Sequence, residues 1–148
     1  MGLENIMFSE ILKKKKVNPP KILVVDDEPN ILTLVCKFLR YKNYEVIIAV
    51  NGKEGLEKAM NENPDLILLD TGMPVMDGYE MLDRLRKCSD TKDMPVIMLT
   101  AFCEPDNIAT ASSYGVIDYI TKPFEHALLH KKIVQALESK HKQKAAHT

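Results

Sequence analysis

The fold of this chain is decided by the stretch Asp65-Leu-Ile-Leu-Leu-Asp-Thr-Gly-Met-Pro-Val-Met-Asp-Gly78. Its apolar run at 66–69 ends abruptly in the carboxylate of Asp70, and a glycine and a proline follow closely. A short apolar run between turn residues is typical of a strand that is buried on both faces of a parallel sheet. Open α/β sheets bind their ligands at the carboxyl ends of such strands. Because a buried charge is costly without a partner, Asp70 predicts a functional site there.

The overall composition favours one globular domain. The chain has 148 residues, of which 45% are apolar and 28% charged, and these values are ordinary for a soluble protein with a single core. Its net charge of −1 conceals an acidic body of −6 over residues 21–138 between basic ends of +2 and +3. An acidic body does not favour direct nucleic-acid binding, which needs a concentrated basic face.

The cysteine pattern and the hydropathy point to the cytoplasm. The three cysteines are widely spaced and form no CxxC pair, so neither a zinc site nor a disulfide framework is predicted. Reduced thiols are the plain interpretation. No run approaches the ~18 apolar residues of a membrane span, and the pattern of a signal peptide is missing. We therefore expect a cytoplasmic protein without a membrane span.

Strand and helix patterns alternate from Lys21 onward. Buried apolar runs predict strands at 22–25, 45–50, 65–70, 95–100 and 118–121. Apolar residues at helical spacing predict helices near 30–39, 52–60, 81–85, 105–114 and 128–137. This alternation is typical of βαβ units, and it predicts an α/β fold with a doubly wound, five-stranded parallel sheet and helices on both faces. The helix at 105–114 carries poor helix formers and should be the weakest.

Both termini are expected to lie outside the domain. Residues 1–20 form a predicted N-terminal extension that ends at Pro19-Pro20, and residues 139–148 a solvated basic C-terminal tail. The extension is either a frayed terminus or a small amphipathic helix that docks on a partner or an anionic membrane surface. The functional domain is then 21–138.

Several polar residues fall at or just past the predicted strand ends. They are Asp26, Asp27, Asp70, Thr100 and Lys122. Because the carboxyl ends of parallel strands meet at one edge, these side chains should converge. Three carboxylates repel one another unless a cation joins them, and this ligand set fits Mg²⁺ better than Ca²⁺. A hydroxyl and an ammonium beside that ion suit a phosphoryl group, and a carboxylate is a known nucleophile for phosphoryl transfer.

The ordered set of motifs resembles the receiver domain of bacterial two-component response regulators over about residues 21–138. The matching residues are Asp26-Asp27, the strand Asp65–Asp70 with Met73-Pro74 and Asp77-Gly78, Thr100-Ala101, and Lys122-Pro123-Phe124. The resemblance implies a flavodoxin-like sheet with strand order 2-1-3-4-5.

The resemblance also implies a role for each residue of the site. It makes Asp70 the phosphoacceptor and gives Mg²⁺ the ligands Asp26, Asp27, Asp70 and the backbone carbonyl of Gly72. The phosphoryl group would be bound by Thr100, Ala101 and Lys122. Thr100 and Tyr119 would form the switch pair, and the Lys122–Pro123 bond would be cis. The family tunes dephosphorylation at position 72, where Gly72 offers no side chain, while Phe102 is expected to restrict water access.

The implied function is a phosphorylation-controlled binding switch in two-component phosphorelay signal transduction. A histidine kinase or histidine phosphotransfer protein would donate the phosphoryl group, and the face formed by residues 105–138 would bind a downstream protein target. The chain's own chemistry would be autophosphorylation and slow autodephosphorylation, so we do not expect a conventional enzyme. A stand-alone regulator of the chemotaxis type, a phosphorelay intermediate and a fragment of a longer regulator all fit the sequence.

Other functions fit less well. A degenerate receiver that binds partners without phosphorylation is opposed by the intact acidic pair and Lys122. A phosphohydrolase of the haloacid dehalogenase type needs a second Asp two residues past the nucleophile as general acid, where this chain has Gly72. A flavodoxin needs hydrogen-bond donors for its phosphate where this chain has Asp26-Asp27.

Overall fold

The computed structural model describes residues 18–101, 109 and 112–146, with side chains up to residue 140. The strands are β1 (Lys21–Val25), β2 (Glu45–Ala49), β3 (Leu66–Asp70), β4 (Val96–Thr100) and β5 (Asp118–Thr121). The helices over these residues are α1 (Pro29–Tyr41), α2 (Gly52–Glu62), α3 (Gly78–Lys87) and α4 (His126–Ala146). None of them is long and apolar enough to cross a membrane. The expectations for Phe102, for residues 1–17 and for most of the helix at 105–114 fall outside the described residues.

The five strands form one parallel sheet in the order β2-β1-β3-β4-β5, which confirms the flavodoxin-like order. The central strand β3 is buried at every position, as the uninterrupted apolar run predicted. Its register places Asp70 beside Leu99 of β4, and it places Leu69 beside Val25 at the end of β1. The carboxyl ends of the three central strands therefore lie at one edge of the sheet.

Alternating side chains of the sheet form two apolar clusters, one on each face. The cluster under α2 and α3 contains the strand residues Leu23, Val25, Ile67 and Leu69. The cluster under α1 and α4 contains Ile22, Val24, Leu66 and Leu68. Full burial of each such side chain contributes roughly 1.5–3 kcal/mol. Both faces are thus covered by helices, as predicted.

Side-chain caps fix where two of the helices begin. The Oδ1 atom of Asn51 accepts a hydrogen bond of 2.8 Å from the N–H of Glu54 at the start of α2. Asp77 accepts one of 2.9 Å from the N–H of Glu80 at the start of α3. Each such cap contributes about 1 kcal/mol. Local sequence therefore fixes the residues at which α2 and α3 begin.

Gly78 allows α3 to begin directly against the end of β3. A Cβ atom at this position would overlap the carbonyl oxygen of Asp70. The N–H of Gly78 also donates to the carbonyl of Thr71 at 3.1 Å, which closes the loop between strand and helix. The small residue at position 78 thus lets the loop return close to Asp70.

The last helix is longer than the sequence analysis predicted. We expected it to end near 137 and to be followed by a solvated tail, whereas α4 continues to Ala146. No glycine or proline interrupts this segment, and its Lys, Gln and Ala residues have high helix propensity. Lys140 Nζ lies 3.3 Å from Asp65 Oδ1 at the opposite edge of the sheet from Asp70. The helix therefore continues past its predicted end near 137, and the expected tail is helical up to Ala146.

Candidate functional site

Three carboxylates cluster at the carboxyl edge of the sheet. Oxygen atoms of Asp26, Asp27 and Asp70 all lie within 4.8 Å of one another. The pairing of β1 with β3 brings Asp26 and Asp70 together, and both are buried, whereas Asp27 is more exposed. Such a concentration of negative charge is costly unless a cation shares it.

Lys122 supplies one positive charge to this cluster. Its Nζ atom lies 2.6 Å from Asp26 Oδ2 and 3.3 Å from Asp70 Oδ1. Burial alone would lower the pKa of Lys122, but the hydrogen bond and charge of Asp26, joined by those of Asp70, raise it above its ordinary value. The ammonium group therefore stays charged across the whole physiological pH range. The Lys122–Pro123 peptide bond is cis, as expected.

Asp70 has a strongly perturbed acidity. Burial and the negative charge of Asp26 raise the pKa of Asp70 to about 6, although Lys122 and a hydrogen bond from the backbone of Gly72 act in the opposite direction. Its carboxylate is thus ionised near neutral pH but poorly stabilised. Additional positive charge at this position would stabilise the ionised carboxylate, which is the electrostatic situation of a cation site.

Asp26 is held in place by the backbone on both sides. Its Oδ1 atom accepts a hydrogen bond of 2.9 Å from the N–H of Glu28, and its own N–H donates to the carbonyl of Ala49 at 3.1 Å. These contacts orient one carboxylate oxygen toward the helix and leave the other for Lys122. Asp26 is therefore a rigid member of the cluster.

Sequence reasoning overlooked Glu28 as a neighbour of the site. It was not among the residues predicted to converge at the strand ends, yet its Oε1 atom lies 3.8 Å from Lys122 Nζ. The acidic run Asp26-Asp27-Glu28 immediately after a strand was the available signal. Because Glu28 is exposed, it extends the negative field from the buried cluster to the surface.

Thr100 and Ala101 reach the same edge on the neighbouring strand. Thr100 is the last residue of β4 and is buried, while Ala101 follows it and is exposed. The N–H of Lys122 donates to the carbonyl of Thr100 at 2.7 Å, which joins the ends of β4 and β5. The structure thus brings together the strand ends that carry Asp26, Asp70, Thr100 and Lys122.

Gly72 lies beside the cluster without a packing reason for being glycine. A Cβ atom there would meet nothing within 4 Å, so a larger side chain would extend into open space next to Asp70. Gly72 is exposed, and its backbone approaches the Asp70 carboxylate closely enough for a hydrogen bond. Water therefore has access to this side of the site.

Tyr119 lies in β5 beside Met98 of β4 and contacts the segment that precedes β5. Its ring is half-buried and packs against the apolar cluster under α2 and α3. Its hydroxyl lies 2.8 Å from Ser112 Oγ. Tyr119 is therefore in contact with the segment that follows Thr100 along the chain.

A doubly wound parallel sheet of this order, with an acidic cluster and a lysine at the carboxyl ends of its strands, defines a flavodoxin-like α/β domain. The profile of the response regulator receiver domain family matches residues 22–134, and the chain belongs to this family. This finding confirms the resemblance that the ordered motifs indicated.

Curated relatives extend well beyond the matched region. The chain is 42% identical over 106 residues to the DNA-binding dual master transcriptional regulator RpaA of Synechocystis sp., a match that covers 72% of this chain and 44% of the relative. It is 45% identical over 104 residues to the alkaline phosphatase synthesis transcriptional regulatory protein PhoP of Bacillus subtilis, covering 70% and 42% respectively. The chain thus spans less than half the length of these relatives.

Solved structures of single receiver domains match almost end to end. A CheY-like response regulator receiver domain protein of Methanospirillum hungatei superposes with a TM-score of 0.80 at 34% identity, covering 84% of this chain and 98% of that one. The chemotaxis protein CheY4 of Vibrio cholerae gives a TM-score of 0.77 at 34% identity, covering 80% and 99%. The fold is therefore that of an entire receiver domain.

Proposed function

We propose that this receiver domain is a phosphorylation-controlled binding switch with Asp70 as its phosphoacceptor. The observation that carries the proposal is the bridge that Lys122 makes between Asp26 and Asp70 at the edge where Thr100 also ends its strand. A buried carboxylate with a raised pKa beside a fixed ammonium group is a typical arrangement of a reactive site. We place the functional domain at residues 21–138.

The acidic cluster fits Mg²⁺. Its donors are hard carboxylate oxygens close together, and the negative charge exceeds what Lys122 can balance. Asp27 and Asp70 would hold the ion directly, the backbone carbonyl of Gly72 would add a ligand, and Asp26 would assist through a water molecule. Bound there, the ion would neutralise charge on the oxygens of a phosphoryl group.

Transfer of the phosphoryl group to Asp70 depends mainly on the positioning of the reacting groups and on stabilisation of the charge on the phosphoryl oxygens. An ionised oxygen of Asp70 forms a bond to phosphorus, while the bond from phosphorus to the nitrogen of a donor phosphohistidine breaks and its electron pair stays on the imidazole. Lys122 binds one phosphoryl oxygen, and Thr100 with the backbone at Ala101 binds another. Since the pKa of Asp70 is about 6, most of it is ionised at neutral pH.

The partners follow from this chemistry. A histidine kinase or histidine phosphotransfer protein in the cytoplasm supplies the phosphoryl group, and a protein target binds the face formed by residues 105–138. Movement of Thr100 toward the phosphoryl group and rotation of Tyr119 alter that face. The acidic body of the domain supports binding to proteins rather than to nucleic acid. Apart from autophosphorylation and slow autodephosphorylation, the domain performs no catalysis of its own.

Intact-mass spectrometry after incubation with Mg²⁺ and acetyl phosphate tests this function. We expect a single phosphoryl adduct that is labile in base and is lost in Asp70→Asn. Asp77→Asn is the matched control, because Asn caps a helix as well as Asp does and should leave the adduct intact. Absence of an adduct in the unmodified protein would favour the degenerate receiver. Rapid turnover of many donor molecules would instead favour a phosphohydrolase.

A further inference from the structure

A surface groove lies between α1 and the edge strand β2. It encloses about 400 Å³, a volume within the range of roughly 300–1,000 Å³ that is typical of small-molecule sites in proteins. The residues that line it belong to these two elements and are Leu32, Thr33, Cys36, Lys37, Arg40 and Ile48. None of them belongs to the acidic cluster around Asp70, so the groove is a second candidate site on this domain.

The floor of the groove is apolar. Leu32 and Cys36 are buried side chains of α1, while Ile48 of β2 is partly buried and packs against the apolar cluster under α1 and α4. Ile48 is paired with Val24 of β1, so the sheet holds it in a fixed position. An apolar group that covers this floor would be favoured, because it and the floor would both leave water.

The rim of the groove is positively charged. Lys37 and Arg40 are three residues apart on α1, which places their side chains on one side of the helix, and both are exposed. Over the part of the chain that the structure describes, neither cation has an acidic side chain within ion-pair distance. The rim therefore offers two positive charges to a ligand.

The charge of the rim also reaches the floor. Burial raises the pKa of the Cys36 thiol, whereas the positive charge of Arg40 acts on this pKa in the opposite direction. Thr33, one turn before Lys37, adds an exposed hydroxyl to the same side of the helix. One ligand can therefore contact the cations and the apolar floor together.

The backbone edge of β2 is a poorer site for a peptide. An extended peptide that joins a sheet needs free backbone groups on the edge strand. The carbonyl of Ile48 already accepts a hydrogen bond of 2.9 Å from Lys58 Nζ on α2. An added strand would have to compete with this contact, whereas a small molecule on the α1 side meets only the side chains of the groove.

We propose that this groove binds a small anionic amphiphile, whose head group pairs with the two cations of the rim and whose apolar body covers the floor. The guanidinium group of Arg40 has parallel N–H donors that match a carboxylate or a phosphate, and Lys37 adds a second charge. The volume of the groove restricts the apolar body to a short chain or a single ring. This inference does not depend on phosphorylation of Asp70.

Titration of the whole chain with octanoate, followed in ¹H–¹⁵N correlation spectra, tests the site. We expect saturable shifts of the backbone amides at 32–40 and 46–50, with a Kd of about 0.5 mM, and no shifts at 66–70. Octyl phosphate should shift the same amides, and the tighter of the two identifies the preferred head group. The uncharged octanamide should bind about tenfold more weakly than octanoate.

Substitutions at the rim test the role of the charges. Arg40→Gln should weaken octanoate binding about fivefold, and the double variant with Lys37→Gln by about tenfold or more. Arg84→Gln is the matched control, since it makes the same change in net charge on α3, where Arg84 pairs with Glu80 at 3.3 Å. Its Kd should equal that of the unmodified protein. Equal weakening in the control, or octanamide binding as tight as that of octanoate, would overturn the proposal.

A third substitution tests the space in the groove without removing a charge. Thr33→Trp places a large ring in the groove from an exposed position, and it should weaken the binding of both octanoate and octyl phosphate. Thermal unfolding confirms that each variant is folded. Unchanged binding in Thr33→Trp, or shifts spread over the whole domain without saturation, would contradict a defined site.

Two further samples separate this proposal from other functions. Asp70→Asn should bind octanoate as the unmodified protein does, so a failure of phosphorylation and a failure of octanoate binding are independent results. Vesicles that contain anionic lipids test a membrane surface as the alternative source of negative charge. Binding to these vesicles without binding of either free amphiphile would assign the rim to a membrane and overturn the proposal.

Discussion

At the scale of the single residue, the surroundings of Asp70 have two opposing effects on its carboxylate. The apolar environment that positions its carboxylate at the end of β3 also makes the ionised form costly, and Asp26 adds repulsion. Lys122 offsets only part of this cost, because its ammonium group also pairs with Asp26. The distance from Lys122 Nζ to Asp26 Oδ2 is 2.6 Å. The cluster therefore keeps excess negative charge that a bound cation would neutralise.

This stored charge predicts the pH dependence of stability. The folded pKa of Asp70 is about 6 against an ordinary value of 3.8, so the unfolded chain loses this proton first as the pH rises. Asp70 thus lowers the free energy of unfolding between roughly pH 4 and 6, by about 3 kcal/mol in total, and the loss persists above that range. Asp70→Asn should be more stable by up to this amount near pH 7.5 and nearly equal below about pH 4.

Urea unfolding without Mg²⁺ at both pH values measures this difference. Asp77→Asn serves as the control, since it removes a carboxylate that caps a helix outside the cluster and should show no such pH-dependent gain. Adding Mg²⁺ should stabilise the unmodified protein more than Asp70→Asn. A gain for Asp70→Asn that is the same at both pH values would show that the charge of Asp70 is not its cause.

Lys122 should be essential for the stability of the metal-free cluster. Lys122→Met leaves Asp26 buried without its ion-pair partner, and the loss of one member of a buried pair costs roughly 3 kcal/mol. We expect a lower melting temperature that Mg²⁺ restores in part, because the ion supplies the missing charge. Lys87→Met is the control, since its ion pair with Asp83 is exposed. Equal losses in the two variants, or no recovery with Mg²⁺, would contradict the electrostatic role.

At the scale of the element, the loop between β3 and α3 determines how closely the chain returns to Asp70. Gly78 lies against the Asp70 carbonyl, while Gly72 faces open space and has no left-handed φ. The two glycines therefore have different physical roles within one loop. One permits a close contact of the backbone, and the other leaves a side of the site open.

A pair of alanine variants separates these roles. Gly78→Ala forces a methyl group into the end of β3 and should destabilise the domain by more than about 2 kcal/mol, because overpacking costs 1–3 kcal/mol and here the obstacle is backbone. Gly72→Ala should leave the stability unchanged or raise it by up to about 1 kcal/mol, since it reduces the entropy of the unfolded chain. Thermal unfolding distinguishes them, and similar losses in both would contradict the assigned contacts.

At the scale of the whole molecule, α4 runs from the carboxyl ends of the strands back to their amino ends. It begins shortly after Lys122 at the site edge and continues past the β-sheet to Ala146, with Lys140 paired to Asp65. The apolar cluster under α1 and α4 ends with Ala136 and Leu137. Among the side chains of α4 that the structure describes, those beyond Leu137 therefore add to the helix more than to the core.

Removal of residues 139–148 tests the proposed domain boundary at 138. The deletion loses the partly exposed pair of Lys140 with Asp65, and such pairs contribute at most about 1 kcal/mol. We expect the shortened domain to remain folded, with its phosphorylation yield intact and its free energy of unfolding lower by no more than that amount. Lys140→Ala in the full chain should account for most of the change. Unfolding of the shortened domain would move the boundary toward Ala146.

The sequence by itself determined the burial of β3 and the residues that gather at its end, whereas the strand order was implied by the resemblance of its motifs to the receiver family. An apolar run of this length next to turn residues leaves few alternatives, and parallel strands necessarily place Asp26, Asp70 and Thr100 at one edge. The helix propensity of residues 139–146 also indicated that α4 continues, although we interpreted residues 139–148 as a tail.

Only the tertiary structure decided the raised pKa of Asp70, the approach of Glu28 to Lys122 and the contact of Arg86 with Tyr114. Arg86 and Tyr114 are far apart along the chain, and their contact depends on how α3 docks beside two strand entrances. The pKa depends on how much solvent the packed helices exclude and on distances between side chains from different strands. Such quantities follow from the assembled core, and no local pattern of residues encodes them.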